Sequence, residues 1–410
     1  MPQLPSAMKI WILVPQDKGG AMGIQQIRDD IRFLAGSLAH RITQTDGERE
    51  AARYIHRRLR EDLDDAGIEP FQAVDNQDYV TASCLAEFMV VALAAHWWPL
   101  AAFFYAAAVC AAYTAEYLGR PVLSRLLPRF ESANVIGRHF AKKPSMLIVV
   151  TAHYDSGTAS PLTAPHVAAR MRWLHLALAA AMLTVTASCL AGAVLAWNGA
   201  ANPAVAAVRW AAAAVLLFGA VVHFIGAFRR GEVRGANCNA SGVAALLRLA
   251  ALLRDTAPEN ADVWLAATGA HERRMAGMRE LAASLAESRG MVHFINIECV
   301  GAGALKYTTS EGILAPVPCG GELVAAARAG AAAFGFDPAA LRAVETAAYM
   351  PLTRGMSAIS LVGLGENGVP AHWNWFTDSL SEVDEESVDR AAAFALDILL
   401  RVSGGAPPAP

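Results

Sequence analysis

Hydrophobic positions divide this chain into amphipathic stretches and wholly apolar ones. From Ile24 to Gly67 the apolar residues recur at helical spacing, and Gly47–Leu59 predicts an amphipathic helix that ends near Gly67. The sequence from Ala82 to Leu118 is almost uninterruptedly apolar, which is enough for two membrane crossings of about 17 to 20 residues. The His-Trp-Trp-Pro segment at 96–99 then forms the turn, unless the stretch is a single re-entrant segment.

A second pair of apolar stretches predicts another transmembrane hairpin. Trp173–Trp197 and Val205–Phe228 are each long enough to cross a bilayer. The turn-rich sequence Asn-Gly-Ala-Ala-Asn-Pro at 198–203 separates them. A lipid bilayer is therefore an expected partner of this chain.

Soluble α/β character returns between and after the hairpins. The short, continuous, β-branched run Met146–Ala152 predicts a strand buried on both faces, and Val263–Thr268 and Val292–Ile297 indicate two more. Helical patterns at Gly242–Arg254 and Arg273–Ser288 separate them. This alternation predicts an α/β fold with a mostly parallel central sheet flanked by helices and interrupted by the two hairpins.

The hairpins thus interrupt one discontinuous domain. We expect the α/β domain to comprise residues 24–81, 119–172 and 229–403, with hairpins at 82–118 and 173–228 and a flexible tail at 404–410. If these segments build one sheet, each hairpin crosses the membrane an even number of times and all segments lie on one side. Arginines flank the helices on that side, at 120, 125, 129, 170, 172, 229, 230 and 234, whereas the opposite loops hold only Arg209. By the positive-inside tendency, the domain is expected to be cytoplasmic.

Composition agrees with a membrane protein. Of 410 residues only 17% are charged and 55% are hydrophobic, against about 25% charged in soluble proteins, and the mean hydropathy is +0.32. The net charge of -3 argues against a nucleic-acid partner. The six cysteines are scattered and indicate no disulfide framework, and the apolar stretch Ile10–Val14 is too short for a signal-peptide core.

Candidate chemistry follows several predicted strands. His153 and Asp155 come at the end of the first strand, in Thr-Ala-His-Tyr-Asp-Ser, where open α/β sheets place their sites, although a histidine there can also be structural. Further along, Gly-Ala-Asn-Cys-Asn-Ala-Ser-Gly at 235–242 leads into a helix. His271 with Glu272, and then Glu298, follow two later strands.

This order of motifs resembles that of the co-catalytic zinc aminopeptidase family, which also contains carboxypeptidases, glutaminyl cyclases and the transferrin-receptor ectodomain. The resemblance covers roughly Ile24–Val74 and Ser132–Val402 but not the hairpins. Supporting matches are the helix at 47–55, the Ser-Ala-Asn-Val-Ile-Gly segment at 132–137, and Asp-Ser-Leu-Ser-Glu-Val-Asp at 378–384.

The resemblance implies a site for one or two zinc ions that hydrolyses a peptide or amide substrate. His153 and Glu298 resemble the ligands of one zinc, and Glu272 resembles a ligand of the other. Asp155 and Asp378 are supporting residues: Asp155 belongs to the motif that contains His153, and Asp378 belongs to the closing motif at 378–384.

Three positions depart from the family pattern. Cys238 stands where the bridging Asp is expected, and it is either a thiolate ligand or an ordinary buried thiol. His271 stands where the general-base Glu is expected, and it is a base, a ligand or a polar replacement. The last His is expected four residues before Asp378, where this chain has Asn374, although His372 lies two residues upstream and would serve if the loop were shifted.

These departures leave several functions open. The first is a membrane-bound, zinc-dependent peptide or amide hydrolase with an altered site and His271 as its catalytic base. The second is a pseudopeptidase that acts as a binding or scaffold module, and the third is a single-zinc acyltransferase. A transporter is the least favoured, because the apolar helices carry few charges.

Overall fold

The computed structural model describes residues 19–74, 76–228 and 231–404. The stretch Ile10–Val14, the arginines at 229 and 230, and residues 405–410 of the expected tail lie outside the described residues.

Helices and strands alternate along most of the chain. The α-helices are α1 Gly19–Ile31, α2 Asp46–Asp62, α3 Gln77–Ala94, α4 Pro99–Tyr117, α5 Pro165–Ala168, α6 Met171–Trp197, α7 Pro203–Phe228, α8 Ser241–Thr256, α9 Ala276–Ser284, α10 Gly321–Phe334, α11 Tyr349–Leu352 and α12 Glu385–Val402. Short π-helical turns occupy Arg32–Ser37 and Ala236–Ala240, and 3-10 turns occupy Leu123–Leu126, Ala286–Ser288 and Leu380–Glu382. The strands are β1 Asp65–Val74, β2 Arg129–His139, β3 Met146–His153, β4 Thr158–Ala159, β5 Gly231–Glu232, β6 Ala261–Thr268, β7 Val292–Glu298, β8 Ala304–Glu311, β9 Val317–Pro318, β10 Asp337–Leu341 and β11 Ser357–Leu364.

The main sheet has its parallel strands at the centre. Its order is β1-β2-β6-β3-β7-β11-β8-β10, with β9 paired to β8. The central strands β6, β3, β7 and β11 are parallel, whereas β2 is antiparallel to β6 and β8 is antiparallel to β11. The predicted α/β class is therefore confirmed. Because β3, β6 and β7 are parallel neighbours, the residues that follow them meet at one edge of the sheet.

The amphipathic helix α2 ends earlier than the sequence pattern suggested. It stops at Asp62 rather than near Gly67, because the chain becomes extended at Leu63 and enters edge strand β1. At its start, Thr45 Oγ1 accepts the backbone N–H of Glu48, and Glu48 Oε2 accepts the backbone N–H of Gln44. These contacts form a capping arrangement that fixes the loop before α2.

The domain core lies on both faces of this sheet. The segment Ala236–Thr256 is apolar enough to cross a membrane by composition, but 83% of its apolar window is buried within the protein. Leu246, Leu249 and Leu253 of α8 pack into the same core as Val150 and Leu265 of the central strands. This helix is therefore a core helix, which explains its hydrophobicity all round.

A second compact unit comprises residues 74–130 and 160–231. Its helices α3, α4, α6 and α7 share an interior that includes Phe88, Val185 and Leu216. Large apolar side chains also point outward, among them Phe218, which is 71% exposed. Helices α4, α6 and α7 are long and apolar enough to span a membrane.

Candidate metal centre

Strained backbone surrounds the residues that the sequence singled out. Among the described residues other than glycine, those with positive φ include Ala270, Arg274, Met275, Cys299, His372 and Asn374. Each flanks or belongs to a predicted site position. Such conformations are costly and cluster at functional sites, so these loops are held in place by their surroundings.

His153 ends β3 and is almost completely buried. Its Nδ1 lies 3.3 Å from the Asp155 carbonyl oxygen and 3.6 Å from Asp155 Oδ1, while its buried Nε2 has no hydrogen-bond partner. Burial opposes the charged imidazole, but Asp155 and then the nearby Cys238 outweigh it and raise the pKa of His153. One ring nitrogen is thus held by Asp155, and the other becomes a ligand atom when it loses its proton.

Asp155 connects His153 to the loop after β6. Its carboxylate accepts the backbone N–H groups of His271 and Glu272 at 2.9 and 3.0 Å, and the Thr43 hydroxyl at 3.4 Å. Burial opposes its ionised form, but the contact with His153 and these donors lower the pKa of Asp155. A single ionised carboxylate therefore fixes both loops of the site.

The imidazole of His271 stacks on that of His153. The ring centroids are 3.9 Å apart and the planes differ by 18°. Burial, followed by repulsion from His153, lowers the pKa of His271 to about 4. His271 is therefore neutral near pH 7, and its buried Nδ1 has no hydrogen-bond partner.

Glu272 completes a group with metal-ligand geometry. One ligand atom from each of His153, His271 and Glu272 lies within 4.8 Å of the others. Burial, followed by the nearby charge of Asp155, raises the pKa of Glu272 to about 7. Two imidazoles and a carboxylate at this separation are a donor set that zinc accepts.

The Asn374 amide borders this group. Its Nδ2 donates to both carboxylate oxygens of Glu272, at 3.0 and 2.9 Å, and its Oδ1 accepts from the Cys238 thiol at 3.6 Å. The amide packs directly against Gly157, where an added Cβ would collide with it. Asn374, predicted from gapless spacing, is therefore placed in the site by its neighbours.

The imidazole of His372 is directed away from the group formed by His153, His271 and Glu272. Its Nδ1 lies 2.9 Å from Thr377 Oγ1, and its Nε2 lies 3.7 Å from Glu382. The group described above therefore does not include His372, and the two-residue shift that would bring it inward is not seen.

Cys238 lies in the π-helical turn before α8 and is buried. Asp378 holds this turn by accepting the backbone N–H groups of Asn237 and Cys238 at 2.6 and 3.1 Å. Burial raises the pKa of Asp378 to about 6, although the backbone donors oppose the rise. The fully buried Arg41 also supports the turn, since it donates to the carbonyl of Gly235.

Glu298 ends β7 and is buried beside the group without belonging to it. Its Oε2 accepts from Asn296 Nδ2 at 3.0 Å and from the backbone N–H of Ala347 at 3.4 Å. Its charge contributes to the raised pKa of His153.

Sequence reasoning missed Arg41, Gly157 and Cys299 as parts of this region. Their roles depend on partners far away in the chain, so no local pattern marks them. The only available signal was the position of Cys299 directly after Glu298.

Comparisons with known proteins support the resemblance. Residues 212–399 match the model of Peptidase family M28. No curated protein sequence matches the chain.

Solved structures share the fold. The aminopeptidase from Aneurinibacillus sp. strain AM-1 has a TM-score of 0.54 and 13% identity, covering 92% of this chain and 93% of that chain. The zinc aminopeptidase from Bacillus subtilis gives 0.53 and 14%, covering 92% and 94%. The glutaminyl cyclase from Bacteroides thetaiotaomicron gives 0.53 and 12%, covering 92% and 96%. The predicted aminopeptidase-like fold is therefore confirmed.

Proposed function

Because residues 212–399 belong to peptidase family M28, we propose that this chain is a membrane-bound hydrolase of peptide or amide bonds with a single-zinc site at His153, His271 and Glu272. The observation that carries the proposal is the pair of buried ring nitrogens without partners, Nε2 of His153 and Nδ1 of His271. A buried polar atom without a hydrogen bond costs about 1 to 3 kcal/mol, and a bound metal would remove that cost.

The donor set fits zinc with an open coordination position. Two histidines and one glutamate hold the ion in catalytic zinc sites of other proteins, where water or substrate takes the remaining position. When bound, zinc supplies Lewis acidity, which polarises a carbonyl group and acidifies a water molecule.

The surrounding residues of this chain orient the donors. Asp155 engages Nδ1 of His153, so that Nε2 faces the other donors, as outer carboxylates do for metal-bound histidines. Asn374 holds the carboxylate of Glu272 through both oxygens. Cys238 adjoins Asn374 and His153, so its thiol borders the site that it was expected to bridge.

The altered role of His271 distinguishes this site from that of the family. His271 stands at the position of the general base, but its low pKa leaves a neutral lone pair that suits a metal ligand. A metal-bound nitrogen cannot accept a proton at the same time. We therefore assign His271 to metal binding rather than to proton transfer.

Helices α4, α6 and α7 support attachment to a bilayer. They satisfy the length and hydropathy needed for crossing, and they leave side chains such as Leu183, Phe104 and Phe218 exposed. Together with the arginine asymmetry of the sequence, they favour a multi-pass protein whose α/β domain is cytoplasmic.

A scaffold function is the second candidate, and Asn374 is the observation that favours it. Its amide donates to both oxygens of Glu272, which satisfies this carboxylate without a second metal ion. A pseudopeptidase would need no further ligand at that position.

Metal analysis of the detergent-purified full chain tests the proposal. After incubation with zinc and removal of free metal, we expect about one zinc per chain and hydrolysis of aminoacyl anilides or amides that chelators abolish. His153→Ala should lose the zinc. His139→Ala is the matched control, because His139 pairs with Asp64. Wild-type protein that retains no zinc would refute the enzyme and leave the scaffold.

A further inference from the structure

Two cysteine thiols meet beside the candidate metal centre. Cys299 Sγ lies 3.7 Å from Cys238 Sγ and 3.2 Å from the Cys238 carbonyl oxygen. Both residues are buried, and they pack with Val362, Leu364 and Trp373. The two sulfur atoms thus face each other in an apolar setting.

Only a small movement separates these thiols from a disulfide. The sulfur atoms must approach from 3.7 Å to about 2.05 Å. Cys238 lies in a short π-helical turn and Cys299 has a positive φ of 54°, so both occupy irregular backbone rather than the interior of a strand or a long helix.

The thiol pair lies two side-chain contacts from the partly exposed edge of the candidate site. The Cys238 thiol contacts Asn374, which in turn contacts Glu272, and Glu272 is partly exposed. By contrast, Cys319 lies elsewhere in the same domain against the Thr308 hydroxyl.

We propose that Cys238 and Cys299 form an oxidisable dithiol whose disulfide removes the Cys238 thiol from the metal site. The oxidant is a hydroperoxide. Its terminal oxygen transfers to the Cys238 sulfur as the O–O bond breaks, which gives a sulfenic acid and water or an alcohol. The Cys299 sulfur then attacks the sulfenic sulfur, the S–S bond forms, and the S–O bond breaks with release of water. The two thiols lose two electrons in total, which the peroxide accepts.

The consequence for the metal rests on the proposed function. The Cys238 thiol contacts Asn374, which donates to Glu272, so drawing the sulfur towards Cys299 alters the support of a metal donor. We expect the oxidised protein to hold zinc at least tenfold more weakly than the reduced protein. In a reducing cytoplasm such a disulfide would be transient and sensing rather than structural.

Thiol mapping of the purified full chain tests the dithiol. The protein is treated with hydrogen peroxide and denatured, its free thiols are alkylated, and its peptides are analysed by mass spectrometry without reduction. We expect a Cys238–Cys299 linked peptide and two fewer alkylated thiols, both reversed by dithiothreitol. Cys319→Ala should behave like the wild type. Cys299→Ala should give no linked peptide and leave a Cys238 sulfenic acid that dimedone traps.

The outcomes separate this inference from the proposed function. Cys238 and Cys299 that both remain alkylatable after peroxide would overturn the dithiol, whatever the zinc content. A linked peptide in protein that keeps its zinc would overturn the regulatory link. Reduced protein that never binds zinc would refute the proposed function, whereas the linked peptide would still report on the dithiol. Because alanine is small and apolar, Cys299→Ala suits this buried position, and its thermal melting temperature checks that it folds.

Discussion

His153 and His271 stack face to face with their ring centroids 3.9 Å apart, although His153 ends β3 and His271 lies in the loop after β6. Burial, followed by repulsion from His153, lowers the pKa of His271, whereas Asp155 and Cys238 raise that of His153 against the effect of burial. A metal ion bound to both rings would displace the proton of the charged His153 ring. It would also explain why each ring has a buried nitrogen without a partner.

Replacement of His271 distinguishes a ligand from a base. In His271→Ala we expect zinc content to fall at least tenfold and activity to fall with it, because one of the donors is gone. The zinc content is measured by plasma mass spectrometry and hydrolysis by anilide release. If the variant kept its zinc and lost only the rate, His271 would be the general base that the family pattern suggested.

Replacement of Asn374 tests the second metal position. Asn374→His restores the family spacing, so we expect zinc content to rise from about one towards two ions per chain. His372→Ala should leave the zinc content unchanged, because this imidazole faces Thr377 and Glu382. Loss of zinc in His372→Ala would show that the loop shifts when metal binds.

Asn374 and His372 show how much of the site the sequence alone could predict. Spacing alone favoured Asn374 over His372, and the structure places Asn374 at Glu272. The central strands β3, β6 and β7 were predictable because each contains a short run of mainly apolar residues between helical patterns. Strands β8, β10 and β11 were not predicted. Of these, β10 (Asp-Pro-Ala-Ala-Leu) contains few strand-forming residues, and its pairing with β8 involves residues about 30 positions away. The contact between Cys238 and Cys299 was not predictable either, because these residues are 61 positions apart in the chain.

The buried carboxyl group of Glu48 should make the stability of the fold depend on pH. Burial raises its pKa to about 7 in the folded protein, against about 4.3 unfolded. The folded state therefore favours the protonated carboxyl, so Glu48 increasingly destabilises the fold as pH rises from about 4.5 to 7. Glu48→Gln mimics the neutral form, with its oxygen accepting the Gln44 N–H and its amide donating to Ser132.

As the pH rises from 5 to 8, we expect the free energy of unfolding of Glu48→Gln to increase by roughly 1 to 3 kcal/mol relative to that of the wild type. Denaturant unfolding of the metal-free protein at both values measures it. Glu50→Gln, on the exposed side of α2, is the control. Equal pH dependence in Glu48→Gln and wild type would contradict a raised pKa.

Reporter fusions test the membrane topology. If each hairpin crosses the membrane an even number of times, all segments of the α/β domain lie on one side. A reporter at Pro410 should then be cytoplasmic, and one inserted in the 198–203 turn should be on the opposite side. The same compartment for both reporters would refute the arrangement of the second hairpin.

Gly157 and Asn374 should be energetically coupled. A methyl group at Gly157 would collide with the Asn374 amide, so Gly157→Ala must push that amide away from Glu272 or shift the loop. We expect a loss of about 1 to 3 kcal/mol, as for other overpacked sites. Asn374→Ala removes the colliding atoms, so the same Gly157→Ala change should cost much less in that background. Denaturant unfolding of the four proteins gives the coupling energy, which we expect to be at least about 1 kcal/mol. Additive effects would show that the amide does not occupy the space beside Gly157, and the assignment of Asn374 to the site would then fail.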